Sequence, residues 1–104
     1  MTRFDAVYDT DGKILQFTAD GHSGYAESGE DIVCASVSSA VWMTINGIEK
    51  QNLATLSYEQ RDGFVKCIIT DKKSDGADVL LNSLIMFIKE LSAQYGDFLK
   101  FTQC

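Results

Sequence analysis

From Thr2 to Tyr8 polarity alternates, with Phe4, Ala6 and Tyr8 set against Arg3, Asp5 and Val7. This is the period of two expected of a half-buried strand. Asp9-Thr10-Asp11-Gly12 is turn chemistry, Asp11-Gly12 is a hairpin signal, and Ile14 to Thr18 returns as a second strand. Leu53 to Gln60 and Phe64 to Thr70 make another such pair across Arg61-Asp62-Gly63, and a last strand runs from Phe98 to Thr102. Two stretches change period. Ala77, Leu80, Leu81, Leu84, Phe87, Ile88, Leu91 and Tyr95 recur at steps of three and four, predicting a helix with one broad apolar face. Ser74 or Asp75 caps its start, and Gly96 stands where a left-handed C-terminal residue belongs. The other helix spans about Asp31 to about Gln51, with Val33, Val37, Val41, Ile45 and Ile48 on one face. Asn46-Gly47 is an awkward pair within it, where the helix is expected to end or bend. The order ββαββαβ predicts an α+β fold, a largely antiparallel sheet with two helices packed on it, in a single domain covering 1–104.

Composition narrows the setting. The chain has 104 residues and no proline, with 45% hydrophobic and 23% charged residues, ordinary values for a globular protein able to bury its own core. Residues 1–9 carry acids and alternate in polarity, unlike a signal or transit peptide. No apolar run is read as approaching the ~20 residues that cross a bilayer, so no membrane association and a cytoplasmic location are expected. Cys34, Cys67 and Cys104 are odd in number and widely spaced, which fits a reducing compartment better than a disulfide framework. One histidine and these spacings make no zinc site, and no metal or other cofactor is expected. A net charge of −6 argues against a broad nucleic-acid surface. Asp20, Glu27, Glu30 and Asp31 fall in one stretch without a base. Each is read as solvated; together they suit a cationic partner.

The candidate chemistry lies where the strand-turn-strand pattern breaks. Between the second strand and first helix runs Gly21-His22-Ser23-Gly24-Tyr25-Ala26-Glu27-Ser28-Gly29-Glu30-Asp31, longer than the connection of roughly four to six residues usual in compact domains. Gly21, Gly24 and Gly29 permit unusual backbone angles and suggest mobility, and the segment holds the chain's one histidine. If Asp31 is the N-cap, Cys34 is the third helical residue, where unpaired N–H groups favour a thiolate. A cap at Ser28 would bury Cys34 deeper in the helix; Asp31 is preferred because Gly29 is a poor helix residue. An imidazole that takes the thiol proton gives a nucleophile and then a proton donor for a departing amine, and helix-start donors could hold the oxyanion. By spacing alone, a core thiol and a polar loop histidine explain Cys34 and His22 better. Cys67, in Phe64-Val65-Lys66-Cys67-Ile68-Ile69-Thr70, reads as strand packing; Trp42 and Met43 read as packing or interface; Ser38 lies one turn beyond Cys34 on the same face.

The motif itself goes further. Gly21-His22-Ser23-Gly24-Tyr25-Ala26, followed by Asp31-Ile32-Val33-Cys34-Ala35-Ser36-Val37-Ser38, resembles the bacterial ribosomal-processing cysteine protease family. Its pattern is a Gly-His segment, a short glycine-containing loop, then Asp-x-Val-Cys-Ala-x-Val-Ser. The resemblance implies a Cys–His endopeptidase with Cys34 as nucleophile and His22 as base, supported by Asp31 and Ser38. Gly21, Gly24 and Tyr25 would then belong to a substrate loop. It also implies a substrate, the N-terminal extension of large-subunit ribosomal protein number twenty-seven, cut after a pair of phenylalanines by a homodimer. The rivals are a non-enzymatic assembly factor binding the same basic ribosomal protein and a redox sensor using Cys34.

Overall fold

The computed structural model describes residues 1–27 and 30–103. Its elements are β1 (Thr2–Tyr8), β2 (Ile14–Asp20), α1 (Ile32–Lys50), β3 (Ala54–Arg61), β4 (Phe64–Lys72), α2 (Gly76–Gln94) and β5 (Leu99–Gln103). They form one five-stranded sheet in the order β3-β4-β2-β1-β5. Three neighbouring pairs are antiparallel, and β5 joins the far edge parallel to β1. The order ββαββαβ and the α+β class are those the hydrophobic pattern predicts.

Alternation fixes which face of the sheet is covered. Phe4 and Ala6 of β1, Phe17 and Ala19 of β2, and Val65 and Cys67 of β4 are buried on the helix side. Phe4 stacks on Phe17 with centroids 5.6 Å apart. Val33, Val37, Val41, Ile45 and Ile48 of α1 and Leu81, Leu84, Ile88 and Leu91 of α2 complete the core. Burying each such side chain is worth about 1.5–3 kcal/mol, so the pairing register and the helix faces are set by the same apolar residues. A one-residue slip of β2 would turn Phe17 out to water.

Three details depart from expectation, while the cap of α2 falls at Asp75, one of the two positions expected. Asn46-Gly47 does not end α1, which continues through it. A Cβ at Gly47 would lie 3.3 Å from Cδ1 of Leu80, so the glycine admits α2 close to α1. The helix runs on to Lys50, at the end expected near Gln51, and the chain turns off it at Asn52, whose φ of 57° is left-handed. The Asn52 N–H bonds to the Glu49 carbonyl and the Leu53 N–H to that of Ile48, the paired bonds of a Schellman ending. Gly96 is not left-handed: α2 ends at Tyr95 with φ −124°, and Gly96 passes where a Cβ would come 3.2 Å from the Ser92 carbonyl oxygen. At the start of α2, Asp75 is the N-cap but makes no side-chain bond; the Ser74 hydroxyl accepts the Gly76 N–H. Finally, α1 is by length and composition apolar enough to cross a bilayer, the one such helix among the described residues. The apolar-run count misses it because serines and threonines interrupt the valines and isoleucines, which apart from Ile32 lie in the core.

Candidate active site

Cys34 owes its place to Asp31. The Asp31 backbone is extended (φ −80°, ψ 99°), so it caps α1 and leaves Cys34 as the third helical residue. Its Oδ1 accepts the Val33 N–H at 3.0 Å and the Cys34 N–H at 2.9 Å. Those two helix-start donors are therefore engaged by the cap. The donor on the sulfur comes from the loop: the Ser23 N–H lies 3.1 Å from Cys34 Sγ, with the Thr2 hydroxyl 3.9 Å away. Partial desolvation pushes the Asp31 carboxyl up, but hydrogen bonds from the Ser23 hydroxyl, the Cys34 backbone and side chain and the Val33 N–H outweigh it and lower the carboxyl to about 2. The alternative cap, Ser28, and Gly29 lie outside the described residues.

The loop leaves β2 through Gly21, whose φ of 92° is left-handed. A Cβ there would meet the Met1 carbonyl oxygen at 2.6 Å, so only glycine fits. The Gly21 N–H bonds to the Gly63 carbonyl at 2.7 Å and its own carbonyl accepts from the Thr2 hydroxyl at 3.0 Å. This ties the loop to the β3–β4 turn and seats His22 on that turn. A Cβ on Gly63 would lie 3.0 Å from His22 Nε2, and Asp62 Oδ2 is 3.7 Å from the same nitrogen. The imidazole is 64% exposed, and among the described residues no hydrogen bond joins it to Cys34. Gly24, also left-handed with φ 76°, turns the chain in open space. Tyr25 does not line the cleft. Its ring packs edge-on against Tyr95 and Phe98, with centroids 5.5 and 5.2 Å away.

Cys34, His22 and Ser38 nevertheless front the same open space. One cleft, of about 200 Å³, is floored by Val37 and Val41 and walled by Trp42, Arg61 and Phe64, with Gly21 and Thr2 at its inner end. A wider one on the other side of the thiol, about 540 Å³, is bordered by Gly24, Asp31 and Asp62. Trp42 is thus a wall as well as packing, held edge-on by Tyr58 at 5.6 Å. The Arg61 guanidinium lies 4.1 Å over the Phe64 ring. The Asp62-Gly63 turn and Trp42 are the parts of the site that sequence reasoning missed. Cys67 is fully buried, and burial together with the Glu49 charge raises its thiol to about 12. Among the described residues no group of His, Cys, Asp and Glu could hold a metal ion.

A half-buried thiol at a helix start, opening with an imidazole onto one cleft beside an antiparallel sheet, is the frame of a thiol-dependent hydrolase. The family profile for cysteine protease Prp matches residues 1–100, and the chain belongs to that family and is a cysteine protease. It is 24% identical over 99 residues to the ribosomal processing cysteine protease Prp of Staphylococcus aureus, covering 93% of each chain. With the protein of that name from Mycoplasma pneumoniae it shares 31% over 88 residues, covering 83% and 84%. Among solved structures, the essential ribosomal processing protease Prp of S. aureus with a covalently linked product peptide superposes with a TM-score of 0.95 at 23% identity, over the whole of both chains. A Streptococcus mutans protein superposes at 0.83 with 25% identity, over 100% of this chain and 99% of the other. Membership of a protease family decides against the non-enzymatic assembly factor.

Proposed function

We propose that this chain is a ribosomal processing endopeptidase in which Cys34 attacks and His22 is the base. Its substrate on this reading is the N-terminal extension of large-subunit ribosomal protein number twenty-seven. The observation that carries the assignment is the thiol of Cys34, third residue of a capped helix, sharing its cleft with the chain's one imidazole. His22 takes the thiol proton, and the thiolate adds to the scissile carbonyl. The imidazolium then protonates the departing amine. Water activated by the same imidazole breaks the thioester and restores the thiol. Asp62, beside Nε2, faces the imidazolium.

His22 stands exposed on the β3–β4 turn without a bond to sulfur, so the pair closes when a peptide fills the cleft, in the manner of a lid. Asp31 supports the reaction by capping the helix under the nucleophile. Ser38, exposed one turn on and bordering both clefts, supports it from the substrate side. Val41, Trp42 and Phe64 offer an apolar slot for a phenylalanine pair. Asp20, Glu27, Glu30, Asp31 and Asp62 present negative charge to a basic precursor. That the named relatives of S. aureus and M. pneumoniae are both ribosomal processing proteases supports the substrate class, and such a substrate would be met in the cytoplasm. The enzyme works as a homodimer on this reading, consistent with the apolar groove that α1 and α2 leave open at Ile32, Met43 and Phe87.

The test is incubation with the precursor and mass analysis of the products. The native chain should release one N-terminal peptide ending after the phenylalanine pair. Cys34→Ala should abolish cleavage yet still bind the peptide, and His22→Ala should abolish it while raising the pH at which Cys34 is alkylated. Cleavage by the Cys34→Ala protein would overturn the assignment.

A further inference from the structure

We propose that Ser23 is a positioning residue for the nucleophile: its hydroxyl clasps Asp31 so that its own backbone N–H is held on the Cys34 sulfur. The inference rests on Cys34 being the attacking group. Ser23 is only 2% exposed, although it sits in a loop whose neighbours His22 and Gly24 reach solvent. Its hydroxyl donates to Asp31 Oδ2 and accepts the Tyr25 N–H at 3.2 Å. The other carboxylate oxygen takes the Val33 and Cys34 N–H groups. One side chain therefore joins the loop to the first turn of α1 at the two points that flank the sulfur.

The consequence is electrostatic. Facing Sγ are Asp31 on α1, the Thr2 hydroxyl on β1, His22 and the Ser23 N–H in the loop, with Arg61 and Asp62 of the β3–β4 hairpin across the clefts. Asp31 is needed as a cap yet opposes a thiolate beside it. A hydrogen bond donated to the anion favours it, and the Ser23 N–H at 3.1 Å supplies one. The clasp also gives Oδ2 a donor, so both carboxylate oxygens are engaged. The low value of the Asp31 carboxyl, about 2, reflects the same set of bonds and keeps the clasp ionised through the working pH range. Loss of the hydroxyl frees the loop N–H from sulfur and takes away the donor on Oδ2, leaving the carboxylate charge less screened. Both changes disfavour the thiolate without touching His22.

The experiment follows iodoacetamide alkylation against pH, read by mass spectrometry on the peptide that carries Cys34, in the native chain and in Ser23→Ala. The midpoint should rise by about one pH unit in the variant, kcat should fall several-fold with KM unchanged, and Ser23→Thr, which keeps the hydroxyl, should return the midpoint toward native. An unmoved midpoint in Ser23→Ala overturns the proposal, because a merely structural role would lower stability and leave the thiol's titration alone. Should Ser23→Ala not fold, the amide proton of Ser23 in the native chain is followed by NMR. It should titrate with the Cys34 midpoint, and a flat response overturns the proposal equally. Failure here with an inactive Cys34→Ala enzyme leaves the protease reading intact, whereas an active Cys34→Ala enzyme removes that reading whatever Ser23 does.

Discussion

Two thiols of this chain differ in position although they are the same residue type. Cys34 stands half-buried at a helix start with a backbone donor on its sulfur. Cys67 lies in the middle of β4, opposite Phe17 on β2 and Tyr58 on β3, sealed among apolar groups that raise its thiol to about 12. At neutral pH Cys67 is protonated and unavailable, so its contribution is volume. Replacing it by serine exchanges a weakly polar sulfur for a hydroxyl with no partner at hand, a change that costs about 1–3 kcal/mol. Cys67→Ser is accordingly expected to lower the denaturation midpoint in urea while cleavage per folded molecule stays native. A Cys67→Ser protein of native stability and lost activity would place this thiol in the chemistry after all.

The elements carry the site through their ends. α1 begins where a single carboxylate satisfies two of its first N–H groups, a cap of the kind worth about 1 kcal/mol. The pH dependence follows from the direction of the shift. Asp31 ionises near 2 in the folded chain, below its ordinary 3.8, so its stabilisation is complete above the unfolded value and is lost as pH falls through the folded one. The stability advantage of the native chain over Asp31→Asn should therefore be constant above about pH 5 and shrink between about pH 4 and pH 2. Urea unfolding at a series of pH values measures it; a difference that does not change over that window would show that the carboxylate is not held by these bonds.

The same ends mark what was legible in the sequence. Strand alternation and the valine-isoleucine face of α1 are local signals that burial enforces, so the element order, the helix faces and the Asp31 cap were readable. The end of α1 near Gln51 was readable too, but the left-handed turn at Asn52 and Gly47 as a helix-crossing point were not, because the first depends on a backbone angle and the second on a side chain from α2. The candidate site divides likewise. His22, Cys34, Asp31 and Ser38 lie within one stretch of 17 residues and announce themselves as a motif. The Asp62-Gly63 seat comes from a hairpin brought to the loop only by the sheet order, with β4 beside β2, whereas Trp42 shares α1 with Cys34 and is held as a wall by Tyr58 of β3. Gly63 reads in sequence as a hairpin turn residue, and its second use, leaving room for an imidazole, has no local signature.

At the scale of the whole molecule one asymmetry stands out. The helices cover one face of the sheet, and their own outer side carries apolar groups in water: Ile32 is 50% exposed, Met43 73% and Met86 66%. Scattered apolar residues are ordinary on a surface, but a contiguous patch rimmed by polar groups marks an association site. Between α1 and α2, Ile32 and Met43 border a groove of about 720 Å³ lined also by Leu80, Leu84 and Phe87, and it begins at Ile32, two residues from the proposed nucleophile. A partner copy seated there would press on the first turn of α1, linking assembly to the site. Met43→Asp places a charge at the most exposed of these apolar positions without disturbing the core, which α1 builds from Val37, Val41 and Ile45 on its other side. The native chain should run as a dimer by light scattering and the variant as a monomer with an unchanged circular dichroism spectrum. The variant's KM or kcat should also worsen if the first turn of α1 is braced by the partner. A Met43→Asp protein that remains dimeric would move the interface off the helices, to one of the sheet edges formed by β3 and β5.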